Sequence, residues 1–310
     1  MINDSKNDAQ INKYKSELLN RTSITQLAVN LYNLLKFNLI CQYINELDSN
    51  KNNNKTDIIF HLYGRSLGEL SSILISSNLT IEDYMNITYH RGLFIEEEYI
   101  SKIKYNVKGH MINLICNNTQ VLKQIINLYL INANARIQSE SFNIAGIHSK
   151  KLIVLTGNPL SLNEFCNYLK TKQYLLDDNL KKISDLNELT ITIKPLNVAA
   201  PYHSELLTNS RNKFYNFLLN NKFDLSAVNE QNRFNNKNNL ITFKRYSSVE
   251  YNTNSYLDIN SLDNKSIYNL LADSIIKKYN TFYTMNYLNE INIPTIELSV
   301  DKLINYNDYI

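Results

Sequence analysis

The sequence predicts an α/β protein, a parallel-sheet core with a smaller four-stranded subdomain inserted into it. Three observations carry this expectation. Between residues 57 and 77 a β-rich apolar run, a tight glycine-flanked turn and a segment of helical periodicity follow one another without a gap. From Met111 to Ile193, segments patterned as strand and helix come in the order β-α-β-β-α-β. Beyond residue 200 a helix–strand alternation resumes, so the small unit reads as an insertion. The expected division assigns 1–104 and 199–310 to the larger body and 105–198 to the subdomain.

Taken in order, Ser23–Leu35 places Ile24, Leu27, Leu31, Leu34 and Leu35 on one helical face, and Leu39–Leu47 continues as a second helical segment. Ile58–Tyr63 has the length and composition of a buried strand. Gly64-Arg65-Ser66-Leu67-Gly68 turns it into a helix along which Leu67, Leu70, Ile73 and Leu74 recur. Thr80, with Asp83 three residues on, caps a helix whose stripe reads Tyr84, Ile87, Arg91, Ile95. The subdomain follows as strand Met111–Cys116, helix Gln120–Ile131, strands Arg136–Ile144 and Leu152–Thr156, a helix carrying Leu162, Phe165, Cys166 and Leu169, and strand Leu189–Ile193. This split βαβ order is ferredoxin-like. Pro201 then holds Ala200 extended and fixes the approach to His203. Ser204–Leu219 reads as a helix, Leu240–Phe243 as a strand, Ser266–Leu288 as one long helix and Thr295–Val300 as the last strand.

Composition bounds the function. Of 310 residues, 44% are hydrophobic and 20% charged, which fits a soluble globular chain. A net charge of +3 is too small to argue for a nucleic-acid partner. No apolar stretch has the length of a membrane span, and the polar, mixed-charge N-terminus has no signal core and no Arg-rich leader. Cys41, Cys116 and Cys166 stand singly in apolar surroundings, so neither disulfides nor a metal site is expected and a reducing compartment is. The Asn-rich runs 49–56 and 229–239 read as enlarged surface loops in a compositionally biased chain.

Three residues stand out for chemistry. Strand, Gly-x-Ser-x-Gly and helix together describe a nucleophile elbow: a turn too tight for flanking side chains, with Ser66 held over the sheet edge and the N–H of Leu67 at a helix N-terminus facing any developing oxyanion. Arg91 lies on an otherwise apolar helical face, where a guanidinium needs an anionic partner. His203 is the histidine with a motif around it, Ala-Pro-Tyr-His-Ser at 200–204. Each alone is weak, since a lone His or Arg is more often structural. An α/β-hydrolase esterase would place its histidine near the chain end after an acid and carry an upstream HGGG-type loop; here more than a hundred residues follow His203 and no such loop is present.

In combination the signals are specific. Gly-Arg-Ser-Leu-Gly-Glu at 64–69, Arg91-Gly92 at 25 residues beyond the serine, and Pro-Tyr-His-Ser at 201–204 occur in one order on one chain. In these residues the chain resembles the malonyl-CoA:acyl-carrier-protein transacylase family, of the stand-alone, mitochondrial type. Thr22–Gln26 is similar to that family's Asn-Thr-Gln-Pro segment. The resemblance runs from about Leu19 to Leu303 and implies an α/β-hydrolase-like parallel-sheet core with an inserted ferredoxin-like subdomain. It implies a ping-pong malonyl transfer in fatty acid biosynthesis: Ser66 as nucleophile, His203 as general base supported by a main-chain carbonyl, Leu67 N–H as oxyanion donor and Arg91 binding the malonyl carboxylate. Coenzyme A thioester is then substrate, no cofactor is bound, acyl carrier protein is the partner and a monomer is expected. A mitochondrial-matrix location follows by analogy with yeast-like genes, with the cytoplasm as the alternative.

The chain departs from the family at three places. The family's opening Gly-Gln-Gly strand, source of a second oxyanion donor, has no counterpart upstream of Leu19, so an N-terminally truncated or divergent member is expected. Arg65 stands where the family has histidine, and Ser299-Val300-Asp301 where it has Gly-Pro-Gly; Asn143 is the nearest counterpart of its small-domain Asn motif. The alternative these departures raise is a catalytically impaired relative that binds acyl carrier protein or coenzyme A.

Overall fold

The computed structural model describes residues 21–49, 58–102, 110–134, 142–183, 186–196, 198–227, 241–247, 257–290 and 295–298. The region upstream of Leu19, the Asn-rich runs beyond Ser49 and the Ser299–Asp301 segment lie outside them. Helix α1 (Thr22–Ser49) is continuous, where two segments are expected. Residues 36–38 are Lys-Phe-Asn, with no Gly or Pro to interrupt the hydrogen-bond ladder. Phe37 fills the expected gap by facing the core, fully buried against Phe60 at 5.3 Å and Phe243 at 5.9 Å between ring centroids.

Strand β1 (Ile58–Gly64) leads into α2 (Leu67–Ile75) and α3 (Ile81–Lys102). Thr80 caps α3 as expected, its Oγ1 accepting from the Asp83 N–H at 3.0 Å. Next come β2 (Met111–Cys116), α4 (Thr119–Asn134), β3 (Phe142–Ser149), β4 (Leu152–Gly157), α5 (Pro159–Lys170) and β5 (Ile191–Pro195). The chain continues through α6 (Thr208–Asn221), β6 (Ile241–Ser247), β7 (Leu257–Asp258), α7 (Asn264–Asp273), β8 (Tyr279–Asn280), α8 (Thr281–Glu290) and β9 (Thr295–Leu298). The fold is α/β. One sheet runs β7-β6-β1-β9, with the elbow strand β1 parallel to both β6 and β9. The other runs β5-β2-β4-β3-β8, and its first four strands are antiparallel neighbours in the split βαβ order.

Each sheet covers its own core. Phe60, Leu62, Leu70, Ile73, Ile87 and Phe243 belong to the larger cluster; Leu114, Ile125, Ile153, Leu155 and Phe165 belong to the other. Among the described residues no helix is long and apolar enough to cross a membrane. All three cysteines are free and buried, and burial pushes the Cys41 thiol up to about 12, leaving it inert.

Three elements differ from the sequence pattern. Strand β3 begins at Phe142, with 136–141 outside the described residues, and β5 starts two residues late, at Ile191. The helix expected from Ser204 opens as a 3-10 turn, Glu205–Leu207, capped by Ser204. Most consequential, Ser266–Leu288 is not one helix. It breaks after Asp273 into turns that lead to β8, which joins β3 as a fifth strand before α8 begins. The helical period of this stretch yields to tertiary pairing: Gly146 opposes Tyr279, and a Cβ at 146 would stand 2.3 Å from the tyrosine ring, so the ring occupies the place of the missing side chain.

Helices α1 and α3 cross at Gly92. A Cβ there would stand 2.5 Å from Ser23 Cα and 2.8 Å from the Thr22 carbonyl, so only glycine permits the approach. Glu96, one turn on, accepts from the Ser23 hydroxyl at 2.7 Å and from Arg21 Nε at 2.9 Å, binding the α1 N-terminus to α3. Gly92→Ala is expected to destabilise by about 1–3 kcal/mol through this backbone clash, read as a lower midpoint in chemical denaturation.

Candidate active site

Ser66 sits on the elbow with φ 55° and ψ −112°, a conformation costly for any L-residue. The turn is held by the packing behind it. A Cβ on Gly64 would stand 1.9 Å from the Gly68 carbonyl carbon, so glycine at 64 is a steric requirement. The Gly68 and Glu69 N–H groups bond back to the Arg65 and Ser66 carbonyls. Leu67 is the first residue of α2, so its N–H has no acceptor within the helix. It lies beside the hydroxyl at the positive end of the helix dipole.

The structure brings His203 to Ser66 across 137 residues of chain, with Ser66 Oγ 2.8 Å from His203 Nε2. The backbone of His203 is also left-handed, φ 63°, held by its N–H donating to the Ile275 carbonyl at 2.7 Å. Its Nδ1 lies 3.0 Å from the Lys277 carbonyl, which can only accept. Nδ1 therefore carries the proton, and Nε2 is the lone pair that receives the hydrogen bond from Ser66. Tyr279 closes the other side, its ring edge-on to the imidazole at 4.6 Å between centroids. Ile275, Lys277 and Tyr279 all lie on the stretch that departs from the expected helix.

Burial pushes His203 down to about 4; the bond to the Lys277 carbonyl opposes this and the charge on Arg91 adds to it. The imidazole is thus neutral at neutral pH, leaving the Nε2 lone pair free to receive a proton. The unfolded chain protonates this histidine from about pH 6.5 downward, whereas the folded chain resists until about 4. Stability present above 6.5 is lost as the pH falls between these values, by about 3 kcal/mol for this group. His203→Asn is expected to flatten the fall in unfolding free energy between pH 7 and 4.5, measured by denaturant titration at each pH.

Arg91 is buried in α3 and touches no carboxylate at ion-pair distance among the described residues. Its Nη1 donates to Gln26 Oε1 at 2.7 Å and its Nη2 to Ser274 Oγ at 3.4 Å; its Nε is buried without an acceptor. Burial lowers its pKa to about 10, while Tyr202 and the buried Glu69 favour the charged form, so it is cationic at neutral pH. Ser274 adjoins Ile275, which holds His203, so cation and base share one segment of support. The arrangement is a buried cation held by neutral partners with donor capacity to spare. Such a group has the donors to accept a further anionic partner.

Four other groups complete the surroundings. Gln26, within the Thr22–Gln26 stretch, turns its carbonyl to Arg91. Tyr202 is a hydrogen-bond partner of Thr22 Oγ1 at 3.2 Å. Glu69, which closes the Gly-x-Ser-x-Gly-Glu run, accepts from the Ser247 hydroxyl. Arg65 is buried rather than splayed into the cleft, and its Nη1 meets His148 Nδ1 at 2.7 Å. Asn143 lies opposite Thr156 on the β3–β4 pair, and its Oδ1 is buried without a partner. No group of three metal-ligating side chains occurs among the described residues.

The α/β fold thus carries a Gly-x-Ser-x-Gly elbow, a histidine on its serine and a buried cation whose charge acts on that histidine. Solved structures narrow the fold further. The chain is similar to the MCAT of Streptococcus pneumoniae, with a TM-score of 0.61 and 17% identity over 93% of this chain and 74% of that one. It is similar to the malonyl CoA-acyl carrier protein transacylase of Coxiella burnetii, with a TM-score of 0.62 and 16% identity over 92% and 71%. The acyltransferase domain from the second module of the salinomycin polyketide synthase matches at 0.56 and 14%, over 91% of this chain and 51% of that one. The chain thus has the fold of these transacylases. No protein-family model matches it, and no curated protein sequence is similar to it.

Proposed function

We propose that the protein transfers a malonyl group from coenzyme A to the phosphopantetheine thiol of an acyl carrier protein, through an acyl-enzyme on Ser66, in fatty acid synthesis. The single observation that carries this reading is the 2.8 Å contact between Ser66 Oγ and an unprotonated His203 Nε2, on an elbow beside a buried cation that no carboxylate among the described residues pairs.

In the first half-reaction Ser66 Oγ attacks the thioester carbonyl and its proton passes to His203 Nε2. The oxyanion forms against the Leu67 N–H at the head of α2. The C–S bond breaks and the leaving thiolate takes the proton from Nε2. In the second half the carrier thiol gives its proton to Nε2 and attacks the Ser66 ester, and Oγ leaves with that proton restored. The Lys277 carbonyl holds the imidazole in one tautomer throughout. This is why the site needs no acidic third residue. Arg91 receives the malonyl carboxylate and stays fixed by Gln26 and Ser274. Coenzyme A enters in this reading as part of the thioester substrate. In this reading residues 105–198 form the small subdomain over the larger body.

Kinetics test the reading. With malonyl-CoA and a holo acyl carrier protein both varied, a ping-pong pattern of parallel double-reciprocal lines is expected. Intersecting lines, or hydrolysis of malonyl-CoA without transfer, would count against it.

A further inference from the structure

The elbow carries an arginine beside its nucleophile, and the transfer reaction as derived above gives that residue no task. Arg65 runs from the elbow to the ferredoxin-like sheet, where Nη1 meets His148 Nδ1 at 2.7 Å. A guanidinium has donors only, so His148 Nδ1 accepts and its ring proton is carried by Nε2. That Nε2–H points to the hydroxyl of Tyr279, 2.6 Å away, with the two rings edge to face at 5.1 Å. Tyr279 in turn lies edge to face with His203 and fills the space above Gly146. The series therefore runs from the residue before the nucleophile, through a strand of the small sheet, and returns to the base.

We propose that Arg65 and His148 are positioning residues for His203, acting through the ring of Tyr279. The proposal rests on the transferase reading for its kinetic consequence only; the geometry of His203 is its subject. The fixed charge on Arg65 selects the His148 tautomer. That tautomer donates to the tyrosine hydroxyl and sets the ring plane, and the ring walls the imidazole whose other edge bonds the Lys277 carbonyl. Burial, then the charges of Arg65 and of His203, hold His148 well below the ordinary histidine range, so the series stays neutral at His148 when His203 takes up a proton. A second positive charge beside His203 would oppose its action as a base. The ionisable groups around His203 are Arg91 from α3, His148 from β3, and Tyr279 from β8, with Tyr202 preceding it.

The variants are Tyr279→Phe, which keeps the ring and removes the hydroxyl, His148→Ala, and the two combined, each in the full chain. Two measurements are made on each: single-turnover acylation of Ser66 by malonyl-CoA, and titration of the His203 ring by NMR. Loss of the tether lets the ring swing and water reach the imidazole. Tyr279→Phe is therefore expected to lower the acylation rate about 10- to 100-fold with the KM for malonyl-CoA unchanged. The His203 midpoint is expected to move up from about 4 toward 6.5. His148→Ala should reproduce both effects, and the double variant should add little, since both act on one ring. A His203 midpoint unmoved in Tyr279→Phe overturns the proposal, as do additive effects in the double variant. If the unaltered protein forms no acyl adduct, the transferase reading fails, and the NMR titration still decides the positioning role.

Discussion

Ser66→Ala is expected to lower malonyl transfer by about 10⁴-fold or more, with the fold intact. Alanine at position 66 still occupies the elbow at φ 55°, so the strain and the packing of Gly64 on Gly68 are unchanged. What disappears is the hydroxyl and its bond to His203 Nε2. The variant should therefore retain its denaturation midpoint to within about the value of one hydrogen bond, roughly 1 kcal/mol. It should also bind acyl carrier protein as the unaltered chain does. Steady-state transfer assays and a pull-down on immobilised holo carrier protein read the two consequences separately. Carrier binding with no activity in the unaltered protein either would instead describe a binding relative that has lost its chemistry.

Arg91→Gln is expected to change which acyl group is accepted. The guanidinium is buried, cationic and supported by Gln26 and Ser274, and in the proposed reaction the substrate carboxylate supplies its counter-charge. Removing one partner of such a desolvated pair costs on the order of 10²- to 10³-fold in kcat/KM for malonyl-CoA. Acetyl-CoA presents no carboxylate and leaves the native guanidinium without its anion, so its rate should hold or rise in the variant. The ratio of malonyl to acetyl transfer is the informative quantity, because it cancels any general damage to the protein. Arg91→Lys should recover little, since a point charge on a flexible stem does not reproduce a bidentate fork.

The parts of the site legible in the sequence were those whose chemistry forces a local pattern. An elbow needs glycine on both sides of its serine, and the 1.9 Å clearance at Gly64 is the steric reason behind the letters. Arg91 drew notice as a cation on an apolar stripe, but alone it read as structural, and its carboxylate-binding role came only from the resemblance that the three motifs carry. His203 carried little by itself and gained weight from the order of three motifs. A main-chain carbonyl on His203 was implied by the resemblance, but which residues supply its supports was not legible, for a physical reason. Two of them are the main-chain carbonyls of Ile275 and Lys277, which any residue possesses. They lie on a stretch whose helical period is overridden by pairing with β3. His148 was equally silent, as one histidine with no motif around it. The available signal was Arg65: a bulky cation in a turn this tight has to be buried, and a buried guanidinium requires an acceptor somewhere in the fold.

The fold was legible at the level of class and strand order because the β-α-β-β-α-β alternation is itself periodic. Its boundaries were less so. Helix α1 runs through an expected break because Phe37 packs into the aromatic cluster with Phe60 and Phe243. The sequence pattern contains no trace of β8, since a two-residue strand has no period of its own.

The most direct measurement is the mass of the protein after brief exposure to malonyl-CoA in the absence of any acceptor, followed by proteolysis. The account requires one malonyl group per chain, borne on the peptide containing Ser66 and released by hydroxylamine. A chain that gains no mass, or an acyl group found on any residue other than Ser66, would contradict it.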